Sequence, residues 1–102
     1  MFKLAPNPTF WAKVEIAAPG GDPAVLEVEF RHFGRKALTE LRERMEGRPK
    51  VAMLHEIVVG WRGADREFSS AALEDLDDAH LAAADALIQC YLEEMTGANR
   101  KN

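Results

Sequence analysis

Two runs of alternating polarity, placed on either side of one tight loop, most constrain what this chain can fold into. In Phe10–Ile16, the residues Phe10, Ala12, Val14 and Ile16 fall on one side of an extended chain, and Trp11, Lys13 and Glu15 on the other. The alternation resumes in Ala24, Leu26, Val28 and Phe30, with Glu27, Glu29 and Arg31 opposite. A period of two is the mark of a strand with one buried face. Between the runs lies Pro19-Gly20-Gly21-Asp22-Pro23, a turn-forming stretch, so the reading is a β-hairpin over about residues 9–32. A hairpin is marginal alone, so its apolar face must be covered by something else in the chain.

The rest of the chain supplies helices for that purpose. Leu38, Leu41 and Met45 fall at i, i+3 and i+7, which predicts a helix over about 35–46, stopped by Gly47 and Pro49. The next segment, about 51–61, supports two readings. Val51, Leu54, Ile57, Val58 and Trp61 fit one helical face, whereas Ile57, Val59 and Trp61 fit a strand; the length of the pattern favours the helix. Gly60 and Gly63 mark its end. Ser69 or Ser70 is placed to cap a helix over about 69–77 whose inner face carries Leu73 and Leu76. Asp77 or Asp78 is placed to cap a last helix over about 79–96, with Leu81, Ala84, Leu87, Ile88, Tyr91, Leu92 and Met95 inward and Gly97 at its end. Residues 69–96 read equally well as one long helix. The expectation is therefore an α+β fold, a hairpin packed on three to four helices. It forms a single domain over 1–102, with an extended arm at 1–8, where Pro6 and Pro8 hold their predecessors extended, and a polar tail at 97–102.

Composition narrows function mainly by exclusion. A formal net charge of −4 argues against a general nucleic-acid binder. No apolar run approaches the roughly 20 residues of a membrane span, and MFKLAPNPTF lacks the apolar centre of a secretory signal. The one cysteine, Cys90, has no partner for an internal disulfide, which points to a reducing cytoplasm. Charge is unevenly spread. Residues 31–50 hold seven Lys/Arg against three Glu, and residues 65–94 hold nine acids against one Arg. Both stretches read as solvated helix faces or as a field that steers a partner.

The search for chemistry returns little. His55-Glu56 opens like an HExxH metal helix, but the second histidine would fall at Val59. His32 and His80 complete no ligand set, and Cys90 stands among acids rather than beside an activating base. Gly20-Gly21 precedes no helix, so it cradles no phosphate. The expectation is no enzyme, no cofactor, no metal and no small-molecule substrate. What remains is a surface. Trp11, Phe33, Trp61, Phe68 and Tyr91 are candidate anchors for a protein partner, while Trp61 and Phe68 also read as a staple between successive elements.

Three stretches carry a resemblance that covers nearly the whole chain: FKLAPNPTFWAKVEI, LHEIVVGWRGADREFS and ALIQCYLEEMTGANRKN. In this order and spacing they resemble the tail assembly chaperones of long-tailed bacteriophages. Glu56 to Trp61, followed by Asp65 and Phe68, is the most specific part. One departure is Leu81-Ala82-Ala83, where the family leads one to expect a proline-centred break before the last helix. The resemblance implies a prophage- or phage-encoded assembly factor, acting in the host cytoplasm and absent from the mature virion. It implies that the protein binds and solubilises the tape measure protein and helps recruit tail tube protein, without catalysis or cofactor. It also implies a second, longer product made by translational frameshifting, and Arg100-Lys101-Asn102 can be encoded by the slippery sequence A AAA AAC. The partner-binding residues expected on this reading are Ile57, Val58, Trp61, Phe68 and Tyr91. The competing reading is a small non-enzymatic adaptor or regulator of a bacterial or prophage operon, which would use the same surface for another client.

Overall fold

The computed structural model describes residues 1–98; the slippery-codon expectation and most of the polar tail fall on residues outside this range. The chain runs β1 (Thr9–Ile16), β2 (Ala24–Arg31), α1 (Arg35–Met45), α2 (Lys50–Ile57), β3 (Val58–Arg62), α3 (Ser70–Ala79) and α4 (Ala83–Thr96). The hairpin forms as its alternation requires, in a register that sets Phe10 opposite Phe30 and Ile16 opposite Ala24. Gly20 takes φ +72 in the connecting loop, a left-handed conformation that glycine adopts without steric cost. Residues 1–8 precede the sheet as an exposed, irregular arm.

The segment at 51–61 is not one helix. α2 closes at Ile57, where the Val58 N–H donates to the Leu54 carbonyl, and the chain then extends as β3 along the free edge of β2. The sheet is antiparallel with order β1-β2-β3. Two forces override the helical periodicity. The open edge of β2 offers unpaired backbone groups that a strand satisfies. Val58 and Val59 are β-branched and favour extension, and Gly60 is a poor helix former, so the helix is not continued. The strand reading also needs correction in phase. Val58 pairs with Phe30 and Trp61 with Val28, with a bulge between Glu29 and Phe30, so Val59 is the extra residue. The bulge lets Val58 and Trp61, three residues apart, share the inner face of the sheet.

α2 and α4 pack against that inner face, and α1 and α3 flank α2. Val14, Leu26, Val28, Phe30, Leu41, Leu54, Ile57, Leu73, Leu87 and Tyr91 form the buried core. The stripe expected on α1 is in place, with Leu41 wholly buried and Leu38 and Met45 packed against the core. Arg42 and Arg44 in its last turn complement the helix dipole. Phe10, Phe30 and Tyr91 form an aromatic cluster with ring centroids 5.3–6.0 Å apart. Tyr91 donates its hydroxyl hydrogen to the Arg31 carbonyl at 2.9 Å, so its one polar atom is satisfied inside the core.

Residues 69–96 form two helices rather than one. Ser69 caps α3, its hydroxyl accepting from the Ala72 N–H at 3.0 Å. Asp77 and Asp78, expected as caps of the last helix, lie instead inside α3, and α4 starts after Ala82 with no side-chain cap. The break comes without a proline: His80 is extended at φ −127, ψ 100. In one straight helix Leu73 and Leu87 would stand about 21 Å apart along the axis, too far to share this core. The bend lets both α3 and α4 pack on α2. Leu81, expected inside, is the residue spent on the bend and is 94% exposed. At the far end, Gly97 takes φ 74 and the Ala98 N–H returns to the Glu93 carbonyl at 3.0 Å, a glycine-terminated helix end.

Candidate partner-binding groove

The turn half of the hairpin and α3 do not close tightly on one another. Ala18 and Ala24 on one side and Ala72 and Ala79 on the other are too short to fill the gap. A groove of about 300 Å³ is left between them, floored by Ile16, Leu26 and Leu76. Trp61 forms one wall. Its indole N–H donates to the Arg66 carbonyl at 2.9 Å, and its ring meets Phe68 edge to face at 5.2 Å and 86°. The stretch from Gly63 to Phe68 is thereby tied back onto β3, and this fixes where α3 begins.

The rim is polar. Asp65, Arg66, Asp75 and His80 surround the opening, and Arg66 pairs with Asp75 at 2.5 Å. The pair is largely exposed, so it shapes the rim more than it stabilises the fold. Further acids, Asp77 and Asp78, continue along α3. The site is therefore apolar below and charged above, with Asp65 as the rim carboxylate outside the Arg66–Asp75 pair.

The five residues expected to meet a partner do not share one surface. Trp61 lines the groove, and Phe68 braces Trp61 from behind. Ile57, Val58 and Tyr91 are buried in the core, where they hold α2, β3 and α4 in place. Ile16, Leu26, Leu76 and the Arg66–Asp75 pair line the groove but were not singled out as site residues. One signal for them was present: Ala72, Leu76 and Ala79 follow an i, i+4, i+7 stripe of mostly small side chains on α3. The other candidate anchors lie elsewhere. Trp11 sits on the outer face of the sheet with the Arg62 guanidinium 4.2 Å from its ring centroid, and Phe33 packs against the core.

The Cys90 thiol is half-buried and directed at the Lys13 carbonyl. Burial, and then Glu94 and Glu93, push it above the ordinary thiol range, which disfavours the nucleophilic thiolate. His55 joins α2 to α3 through a hydrogen bond between its Nε2 and a Glu74 carboxylate oxygen. Among the described residues no group of three or more His, Cys, Asp or Glu is placed to hold a metal, and no helix is long and apolar enough to cross a membrane.

A small α+β domain that keeps an apolar, charge-rimmed groove open against its own core has the architecture of a protein-binding module. The family is defined by sequence: the phage tail assembly chaperone profile matches residues 1–102, the whole chain, and the chain belongs to that family. It is thus an assembly factor for phage tails. No curated protein and no solved structure matches it.

Proposed function

We propose that this chaperone binds and solubilises the tape measure protein of its phage in the host cytoplasm, helps gather tail tube protein around it, and is left out of the mature virion. The observation that carries the reading is the groove beside Trp61 in a chain of this family. An amphipathic helix in water exposes an apolar stripe, and a groove with an apolar floor and a polar rim is the complement of such a stripe. Its volume suits a few side chains of a client helix rather than a whole helix, so a long client would be held at intervals. Trp61 is the anchor. Phe68 sets its ring angle, and Ile57, Val58 and Tyr91 act from the core by fixing the strand and helices behind it.

Co-expression with the tape measure protein of the same phage tests this, by measuring how much of the client stays soluble. Trp61→Ala removes an aromatic anchor, for which a loss of about 2 kcal/mol, roughly thirtyfold in affinity, is the ordinary scale. A folded Trp61→Ala protein that keeps the client fully soluble would remove the groove from the mechanism. A longer frameshifted product is part of the same proposal, and mass spectrometry of the protein made from the native gene would reveal it.

A further inference from the structure

We propose that the groove beside Trp61 also receives the N-terminal arm of a second copy of this chain, Phe2 and Leu4 entering the apolar floor and Lys3 lying along the charged rim. The arm is the most conspicuous apolar surface of the molecule: Phe2 is 86% and Leu4 93% exposed. Docked as an extended strand, the arm would present Phe2 and Leu4 on one side and Lys3 on the other. The charges match. The first fourteen residues carry two lysines and no acid, whereas the groove rim carries Asp65 and Asp75, the latter paired with Arg66. Neither Lys3 nor the rim carboxylate Asp65 has an ion-pair partner among the described residues.

Reach favours a second copy over the chain's own arm. The His32 N–H donates to the Pro8 carbonyl at 2.8 Å, which roots the arm at the open end of the hairpin. Ile16, Ala18 and Ala24 lie at the turn end, about 23 Å away along an eight-residue strand. Fully extended, Leu4 reaches about 18 Å from Thr9 and Phe2 about 25 Å. The chain's own arm would have to run straight back along β1 for Phe2 alone to arrive, whereas a partner's arm is free to enter from outside. Reciprocal exchange of arms closes a twofold dimer. A docked arm and a client stripe would exclude one another; this last consequence, unlike the docking itself, rests on the client reading above.

Sedimentation of the full chain over a concentration series, beside a Phe2→Asp/Leu4→Asp variant, tests the proposal. Both substitutions lie on the exposed arm, away from the core. The wild type is expected to show a monomer–dimer equilibrium that weakens with salt, and the variant to stay monomeric. ¹⁵N-labelled variant, with its groove intact, is then titrated with unlabelled wild type. The Trp61 indole and the Leu76 and Ala79 amide signals are expected to move, and to stay fixed when the unlabelled protein is also the variant. A wild type that remains monomeric at all concentrations, a dimer that survives both substitutions, or unmoved groove signals would each overturn the proposal. So would a Trp61 signal that differs between wild type and variant independently of concentration, because that marks the chain's own arm. Client solubilisation by the same variant keeps the two readings apart: if dimerisation proves absent while the variant still holds its client, arm exchange fails and the client reading stands.

Discussion

Tyr91 is a polar residue at the centre of an apolar core, and its two halves do different work. The ring packs against both Phe10 and Phe30, and the hydroxyl donates to the Arg31 carbonyl. Tyr91→Phe keeps the ring and leaves that carbonyl without this donor, for an expected loss of about 1–2 kcal/mol by chemical denaturation. The pH dependence follows from the same burial. Burial pushes the phenol from 10.0 up to about 12, against a smaller opposing effect from a backbone hydrogen bond at Phe33. Between those values the unfolded chain sheds this proton and the folded one retains it. Stability is therefore undiminished by this group below pH 10 and falls as the pH rises toward about 12. Because this is the chain's only tyrosine, phenolate absorbance reports it alone. A titration near pH 10 in the folded protein would contradict the buried position, and Tyr91→Phe should remove the alkaline decline attributed to this group.

At the scale of elements, β3 is where periodicity and structure part. The helical pattern from Val51 to Trp61 was legible but mixed two segments: α2 contributes Leu54 and Ile57, and β3 contributes Val58 and Trp61. What decided between helix and strand was the vacant edge of β2, a tertiary fact that no local window contains. The hairpin, in contrast, was readable because its period of two and its glycine-rich loop are both local. Glycines in and after β3 separate two kinds of constraint. A Cβ at Gly60 would lie 3.0 Å from a Glu29 carboxylate oxygen, which can yield by a few tenths of an ångström while its other oxygen keeps the hydrogen bond from the Thr9 hydroxyl. Gly63 stands at φ +94, where a side chain strains the backbone itself. Gly60→Ala is expected to cost less than about 0.5 kcal/mol and Gly63→Ala about 1–2 kcal/mol. Equal losses in thermal or denaturant melts would mean that the close approach at Gly60, rather than the turn at Gly63, limits this edge of the fold.

For the whole molecule, the way the groove is assembled explains why its residues were hard to find, and the charge near it bears on the client binding proposed above. Its walls come from the hairpin turn, the stretch after β3 and one face of α3, which are far apart in sequence and meet only in the fold. Trp61 was legible because a large aromatic beside a glycine is conspicuous; Ile16 and Leu26 were not, because they read as ordinary inward residues of a hairpin. The charges around the groove were legible from the outset as an acidic stretch in the second half of the chain. That acidity has a kinetic consequence for any client segment that carries Lys or Arg beside its apolar stripe. Long-range attraction speeds encounter and is screened by salt, whereas the apolar contacts that resist dissociation are not. Rising salt is therefore expected to slow association by roughly tenfold and to change dissociation little. Asp77→Asn/Asp78→Asn should reproduce part of that slowing at low salt and lose its effect at high salt. Arg42→Gln/Arg44→Gln, which thins the basic stretch, should act in the opposite direction on the same client. Stopped-flow mixing that follows tryptophan fluorescence in a Trp11→Phe background, where Trp61 is the one remaining indole, measures both rates. If the aspartate and arginine variants associate at the wild-type rate at low salt, the uneven charge plays no part in steering, and selection rests on the shape of the groove alone.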